Sequence, residues 1–225
     1  IVSSEVDFER LQAWGVAQGR FIQPAIETGG FSHTPLPPDA PLTLLAGSAP
    51  WTVEQFTSKG VDVLLQAALR QPELRLVFLW RGVVFDEMMR RVMAFGLEER
   101  VRVLNERVDV NEVLAGASAS IVLATRSDVV KAYPHSLLES LAAGKPVLVS
   151  RVIPMAKWVE QAGLGVVIDQ VDIDHVLRAV AVLQSQGARF QAKALRASVA
   201  DQMTRFRQQH EQVYQQLKQM QLLKH

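Results

Sequence analysis

Between Tyr133 and Ser150 the chain reads YPHSLLESLAAGKPVLVS, and this stretch carries the residue types best spaced for chemistry. Pro134 suits a first helical position, where its fixed φ fits and its missing N–H is not needed, and Gly144 with Pro146 ends the helix before a buried strand. Leu137, Leu138, Leu141 and Ala142 share one stripe, which leaves Glu139 well around the helix, facing either a ligand or solvent. The free N–H groups around Pro134, His135 and Ser136 favour an anion such as a diphosphate. A second candidate is Lys59-Gly60 at the opening of another helical run, a cation beside a residue that lets backbone approach closely. Asp172-Ile173-Asp174 has metal-chelating types, but it stands just before the helical run from Val176, where Asp belongs as an N-cap. The histidines at 33, 135, 175, 210 and 225 show no metal spacing. No G-x-G-x-x-G follows a strand, which counts against a dinucleotide oxidoreductase.

These residues need a scaffold that gathers their loops, and the rest of the chain predicts one. Apolar runs at 42–46, 74–80, 101–104, 120–124, 147–150 and 166–169 read as strands. Helical spacing lies between them, at 61–69, at 85–95, and in a run ending at Gly116 that Asp109 and Glu112 open as a capping box. Alternating strands and helices predict an α/β fold: a Rossmann-like doubly wound parallel sheet, with ligands beyond the carboxyl ends of its strands. Ahead of it lie a short helix with Phe8, Leu11 and Trp14 on one face and a Pro-rich extended linker over 34–41. Behind it Val199, Met203, Phe206, His210, Val213, Leu217 and Met220 recur at steps of four and three, which predicts a long C-terminal amphipathic helix. Its excess of basic residues, Lys224 among them, is open to two readings: solvated faces of a helix packed on the domain, or a face toward anionic lipid.

Composition narrows the function classes. At 225 residues and 48% hydrophobic content the chain can bury a full core, and a net charge of +1 gives no field for nucleic acid or a strongly anionic membrane. Cysteine is absent, so neither a disulfide framework nor a thiolate metal site is expected. No apolar run approaches membrane-spanning length. The expected location is cytoplasmic, with peripheral association at the inner membrane face as the weaker alternative.

The stretch around Glu139 resembles the donor site of the group-1, or glycogen-synthase-like, retaining GT-B glycosyltransferases, in which two Glu residues in the spacing E-x7-E precede A-x-G-x-P-V. Glu139 matches the second Glu, and Ala143-Gly144-Lys145-Pro146-Val147 matches the run behind it; Lys131 stands in place of the first Glu. The resemblance implies a nucleotide-sugar donor, transfer to a glycan or lipid-linked acceptor, no required metal and no other cofactor. It implies donor contacts by Tyr133, His135, Ser136, Leu137 and Glu139, with Glu139 on the ribose. It implies diphosphate contacts by Lys59 and Gly60, and by the turn Gly47-Ser48, where the family has Gly-Arg and no insertion like Ala49 to Ser58. Arg81, after the second strand, stands where it could replace that missing Arg; Asn105 and Glu106 fall where similar proteins border the base. Arg126 and Ser127 lie on the same edge and read equally as surface. Lys59, Glu139 and Lys131 are the candidate catalytic groups; Lys131, unable to accept hydrogen bonds, either pairs with an anion in the cleft or stays in solvent. Ile1 to Glu27 resembles the family's stretch before and across its domain linker, so the expected division is 1–41 as the end of an amino-terminal domain plus linker, 42–186 as the donor-binding domain, and 187–225 as a helical segment. A partner for the cleft would then be that amino-terminal domain. The rival class is a donor-binding or interaction module without transferase activity, suggested by Lys131 and Ser48; a nucleotide-sugar epimerase of similar fold has no specific residue in its favour.

Overall fold

Six short apolar segments pair as one parallel sheet: β1 (Thr43–Ala46), β2 (Arg75–Leu79), β3 (Val101–Leu104), β4 (Ala119–Val122), β5 (Val147–Ser150) and β6 (Gly165–Ile168), in the order β3-β2-β1-β4-β5-β6. A computed structural model describes residues 1–222, so His225 and Lys224 lie outside the described residues. Every residue of β4 and β5 is buried, as a central parallel strand covered on both faces requires. Leu44 and Leu45 are successive residues that point to opposite faces, and each joins a different apolar cluster. The larger cluster spans Leu44 to Val199; the smaller gathers Leu45, Leu114, Ala117 and Ala143. The fold is therefore the expected Rossmann-like α/β sheet with helices on both faces.

The helices are α1 (Glu5–Ala13), α2 (Gln55–Ser58), α3 (Val61–Arg70), α4 (Phe85–Ala94), α5 (Val110–Ala115), α6 (His135–Ala142), α7 (Met155–Gln161), α8 (Ile173–Gln186) and α9 (Ala192–Leu222). Helices α3 and α8 pack together, and α6 lies between the β4–β5 pair and α9. Strand order reverses between β1 and β4, the place where an open α/β sheet leaves a crevice beyond its carboxyl ends. None of the described helices is long and apolar enough to cross a membrane.

Several local expectations change. Trp14 is 76% exposed and caps α1 instead of packing with Phe8 and Leu11. The segment read as an insertion contains α2, held by fully buried Phe56, whose ring lies 5.7 Å from that of Trp80. Pro134 is the N-cap of α6, with φ −63° and ψ 126°, so the helix begins one residue later than expected. Asp109 caps α5 by accepting from Asn111 N at 2.8 Å, without the reciprocal Glu112 bond of a capping box among the described residues. The tail divides along its length: Val199 is buried and Met203, Phe206, His210 and Val213 half-buried, whereas Leu217 and Met220 are 54% and 42% exposed. Its basic residues are partly used within the chain. Arg196 donates to Phe31 O at 2.8 Å, Arg207 pairs with Glu27, and Arg205 donates to Gln202.

Candidate functional site

A cleft of about 750 Å³ opens where the sheet order reverses, lined by the loops after β1, β2 and β4 and by the start of α6. The loop after β1 and the helix start touch because residue 47 is glycine: a Cβ there would lie 2.3 Å from Ser136 Cβ. This contact places Gly47 and Ser48 against His135 and Ser136. At the start of α6, Leu137 N and Leu138 N both donate to Pro134 O, at 3.1 and 3.3 Å. The N–H groups of His135 and Ser136 have no acceptor inside the helix and stand at its positive end, on the cleft wall.

Lys59 caps α2 just before Gly60 turns the chain into α3 with φ 67°. Only 7% of Lys59 is exposed, and its Nζ donates to Ala49 O at 2.8 Å, leaving donors for a ligand in the cleft. Burial holds its ammonium below the usual lysine pKa. Glu139, half-buried one turn into α6, is pushed above the usual carboxylate range by burial, an effect opposed by the charges of His135 and Arg81. Its carboxylate makes no hydrogen bond or ion pair with the other described residues, and it faces the cleft as an available acceptor. Arg81 and Lys131 are exposed on the same walls, likewise without carboxylate partners among the described residues. Asp128, the other acid on the wall, is committed to Arg126, whose Nε donates to Oδ1 at 3.0 Å.

Gly47, Ser48, Lys59, Arg81, Lys131, His135, Ser136 and Glu139 thus line one cleft. The remaining expected site residues do not. Gly60 makes its close approach to the core: a Cβ there would lie 2.8 Å from Leu123 Cβ and 2.9 Å from Val171 Cγ1. Leu137 is fully buried, and Asn105 and Glu106 are exposed after β3, away from the cleft. Tyr133 lines an adjoining cavity, and burial, with a smaller effect of Glu5, pushes its hydroxyl pKa up to about 12. Arg126 and Ser127 also lie off the main cleft. Asp172 is the N-cap of α8, accepting from His175 N at 2.8 Å, and no group of three or more acidic or His side chains is placed for a metal among the described residues. Trp51, 66% exposed on the cleft wall, escaped sequence reasoning, as did the wall residues Leu79, Val110, Val129 and Val130. The available signal for Trp51 was an aromatic residue in a loop with no apolar stripe to join.

Comparison with known proteins agrees with this architecture. The profile of the family described as Glycosyl transferases group 1 matches residues 52–199. Among curated protein sequences none is significantly similar. Among solved structures, sucrose-phosphate synthase from Thermosynechococcus elongatus superposes with a TM-score of 0.79 at 19% identity, covering 97% of this chain and 58% of that one. The lipopolysaccharide outer core galactosyltransferase WaaB gives 0.77 at 16%, covering 96% and 61%. Anabaena HepE in complex with UDP and glucose gives 0.71 at 16%, covering 95% and 62%. The chain spans about three fifths of the length of these structures.

Proposed function

From the premise that this chain belongs to the group 1 glycosyl transferases, we propose that its cleft binds a nucleotide-sugar donor and that the chain is the donor-binding half of a retaining GT-B enzyme. The observation that carries the reading is the meeting, in one cleft, of the bare start of α6, buried Lys59 and the unpartnered Glu139 carboxylate. The roles derive from their chemistry. The His135 and Ser136 N–H groups, Lys59 and Arg81 hold the diphosphate and stabilise it as a leaving group, an electrostatic contribution that requires no metal. Glu139 accepts from the ribose hydroxyls. Leu79 and Val110 offer an apolar wall to the base, and Trp51 a face on which a ring can stack. The acceptor, a glycan or a lipid-linked sugar, would approach from an amino-terminal domain outside this chain, and residues 1–41 would lead from that domain into the donor-binding unit of 42–186. Use of a nucleotide sugar argues for a cytoplasmic location.

Calorimetry of uridine, guanosine and adenosine diphosphates and their sugars against the chain tests this. At least one diphosphate should bind, and Glu139→Ala should weaken it about tenfold, the loss expected for a charge-assisted hydrogen bond. Absence of binding by every nucleotide, or unchanged affinity in the variant, would overturn the reading. A donor-binding module without transferase activity is the second reading, favoured by Ser48 and Lys131 in the cleft; for it, transfer would fail even when an amino-terminal domain is supplied.

A further inference from the structure

One of the cations in the cleft stands apart from the others. Lys59, Arg81 and Lys131 are three cations on its walls without a carboxylate partner among the described residues, while Asp128 is neutralised by Arg126. A diphosphate diester carries one negative charge per phosphate, and with the Glu139 carboxylate three anionic groups balance the three cations, so Lys131 is set apart by its place and not by net charge. Its position separates it from the other two. It lies on the loop after β4, and together with Asp128, Val130 and His135 it also lines the adjoining cavity of about 570 Å³ that reaches Asp7 and Arg10 of α1. Lys131 and His135 therefore stand where the two cavities meet. Glu139 and His135 are a turn apart on α6, about 6 Å along its axis. A donor with its ribose at Glu139 and its diphosphate across the helix start projects its sugar past His135 toward Lys131.

We propose that Lys131 determines donor specificity by pairing with the carboxylate of an acidic donor sugar, so that the protein prefers a nucleoside diphosphate uronate to its neutral analogue. The inference rests on the nucleotide-sugar reading above. An ammonium gives a neutral sugar hydroxyl one hydrogen bond with charge on the donor alone, whereas a carboxylate puts opposite charge on both partners and adds their direct attraction. Asp7, the acid that α1 contributes to the adjoining cavity, does not compete, since it accepts from Ser4 Oγ at 2.8 Å and lies 3.5 Å from Arg10.

The test is calorimetry on the 225-residue chain with UDP, UDP-glucose and UDP-glucuronate, and with GDP, GDP-mannose and GDP-mannuronate should the base be a purine. Wild type is compared with Lys131→Gln and Lys131→Glu, both at an exposed position where the fold tolerates change. The expected result is a uronate preference of about threefold to tenfold in wild type, abolished by Lys131→Gln and reversed by Lys131→Glu, with affinity for the bare diphosphate unchanged by Gln. Equal affinities in wild type, or a preference that survives Lys131→Gln, overturns the proposal. A matching loss of bare diphosphate affinity in Lys131→Gln also overturns it, because Lys131 would then be a phosphate ligand. If none of the uridine, guanosine and adenosine diphosphates binds wild type, the nucleotide-sugar reading fails and takes this proposal with it.

Discussion

Two lysines at opposite ends of α6 share nearly every local property. Lys59 is 7% exposed and donates to Ala49 O at 2.8 Å; Lys145 is 3% exposed and donates to Thr34 O at 2.8 Å. Each is next to a glycine in the left-handed region, and burial pushes both ammonium groups down in pKa. Their surroundings differ. At the end of α6, Gly144 N donates to Leu141 O and Lys145 N to Ser140 O in a Schellman turn, Arg196 donates to Ala142 O and Phe31 O, and His33 Nδ1 lies 3.2 Å from Ala143 O. That end is saturated and clamps the chain at Phe31, His33 and Thr34. At the start of α6 the N–H groups are bare, and Lys59 borders open volume. Burial and a shifted pKa identify a desolvated amine; an open volume for its remaining N–H groups separates a lysine with donors to offer from one enclosed by the fold.

The strongest way to break this contrast is Gly47→Ala. The new Cβ meets Ser136 at 2.3 Å, so the helix start must move off β1 while the Lys145 end stays in place. Nucleotide affinity should fall more than tenfold, with a stability cost of about 1–3 kcal/mol from overpacking. Calorimetry and urea unfolding read both effects, and undiminished affinity would detach the helix start from binding. Next in size is a crossed pair of truncations. Lys59→Ala should weaken nucleotide binding about tenfold or more, with a small stability loss because water from the cleft fills the space. Lys145→Ala should leave affinity unchanged and cost about 1–3 kcal/mol, because it leaves a hole and removes the hydrogen bond to Thr34 O. Equal losses of affinity in both variants would erase the distinction.

Much of this was legible in the chain because periodicity and turn residues act locally. The bounds of β3 and β5 match the expected runs residue for residue, and β1, β2, β4 and β6 shift by one or two residues at their ends, where fraying leaves no sequence mark. The cleft-lining residues of α6 were legible because a helix fixes neighbours by its own geometry: once Leu137 and Leu141 face the core, Glu139 must turn away. The candidates that lie off the cleft, and the exposure of Trp14, depend on distant packing. Gly60 reads as a place for close backbone approach, and it is one, but the partners are Leu123 and Val171, more than sixty residues on. Asn105 and Glu106 come after the correct strand, yet Leu79 and Val110 form the wall there, since β3 is the outermost strand on its side. Trp14 kept its helical spacing and found no surface within the described chain to cover it.

The smallest expected effect is also the sharpest test of the contrast, because it tracks the two ammonium groups themselves. Both pKa values lie below 10.5 in the folded chain, so between the folded value and 10.5 the unfolded chain binds more protons than the native one. Stability from this source must therefore rise with pH across that window and be lowest where both lysines are fully charged. Urea unfolding at a series of pH values rising toward 10.5 should show the rise, and Lys145→Met, which keeps the stem without the charge, should remove its share of the slope. A nucleoside diphosphate at saturation should remove the other share, since an anion beside Lys59 restores its preference for the charged form, while the Lys145 share persists with ligand bound. The two treatments should then add. If the nucleotide leaves the slope of Lys145→Met unchanged, Lys59 does not meet the phosphates, and the open end of α6 holds its ligand by the helix start and Arg81 alone.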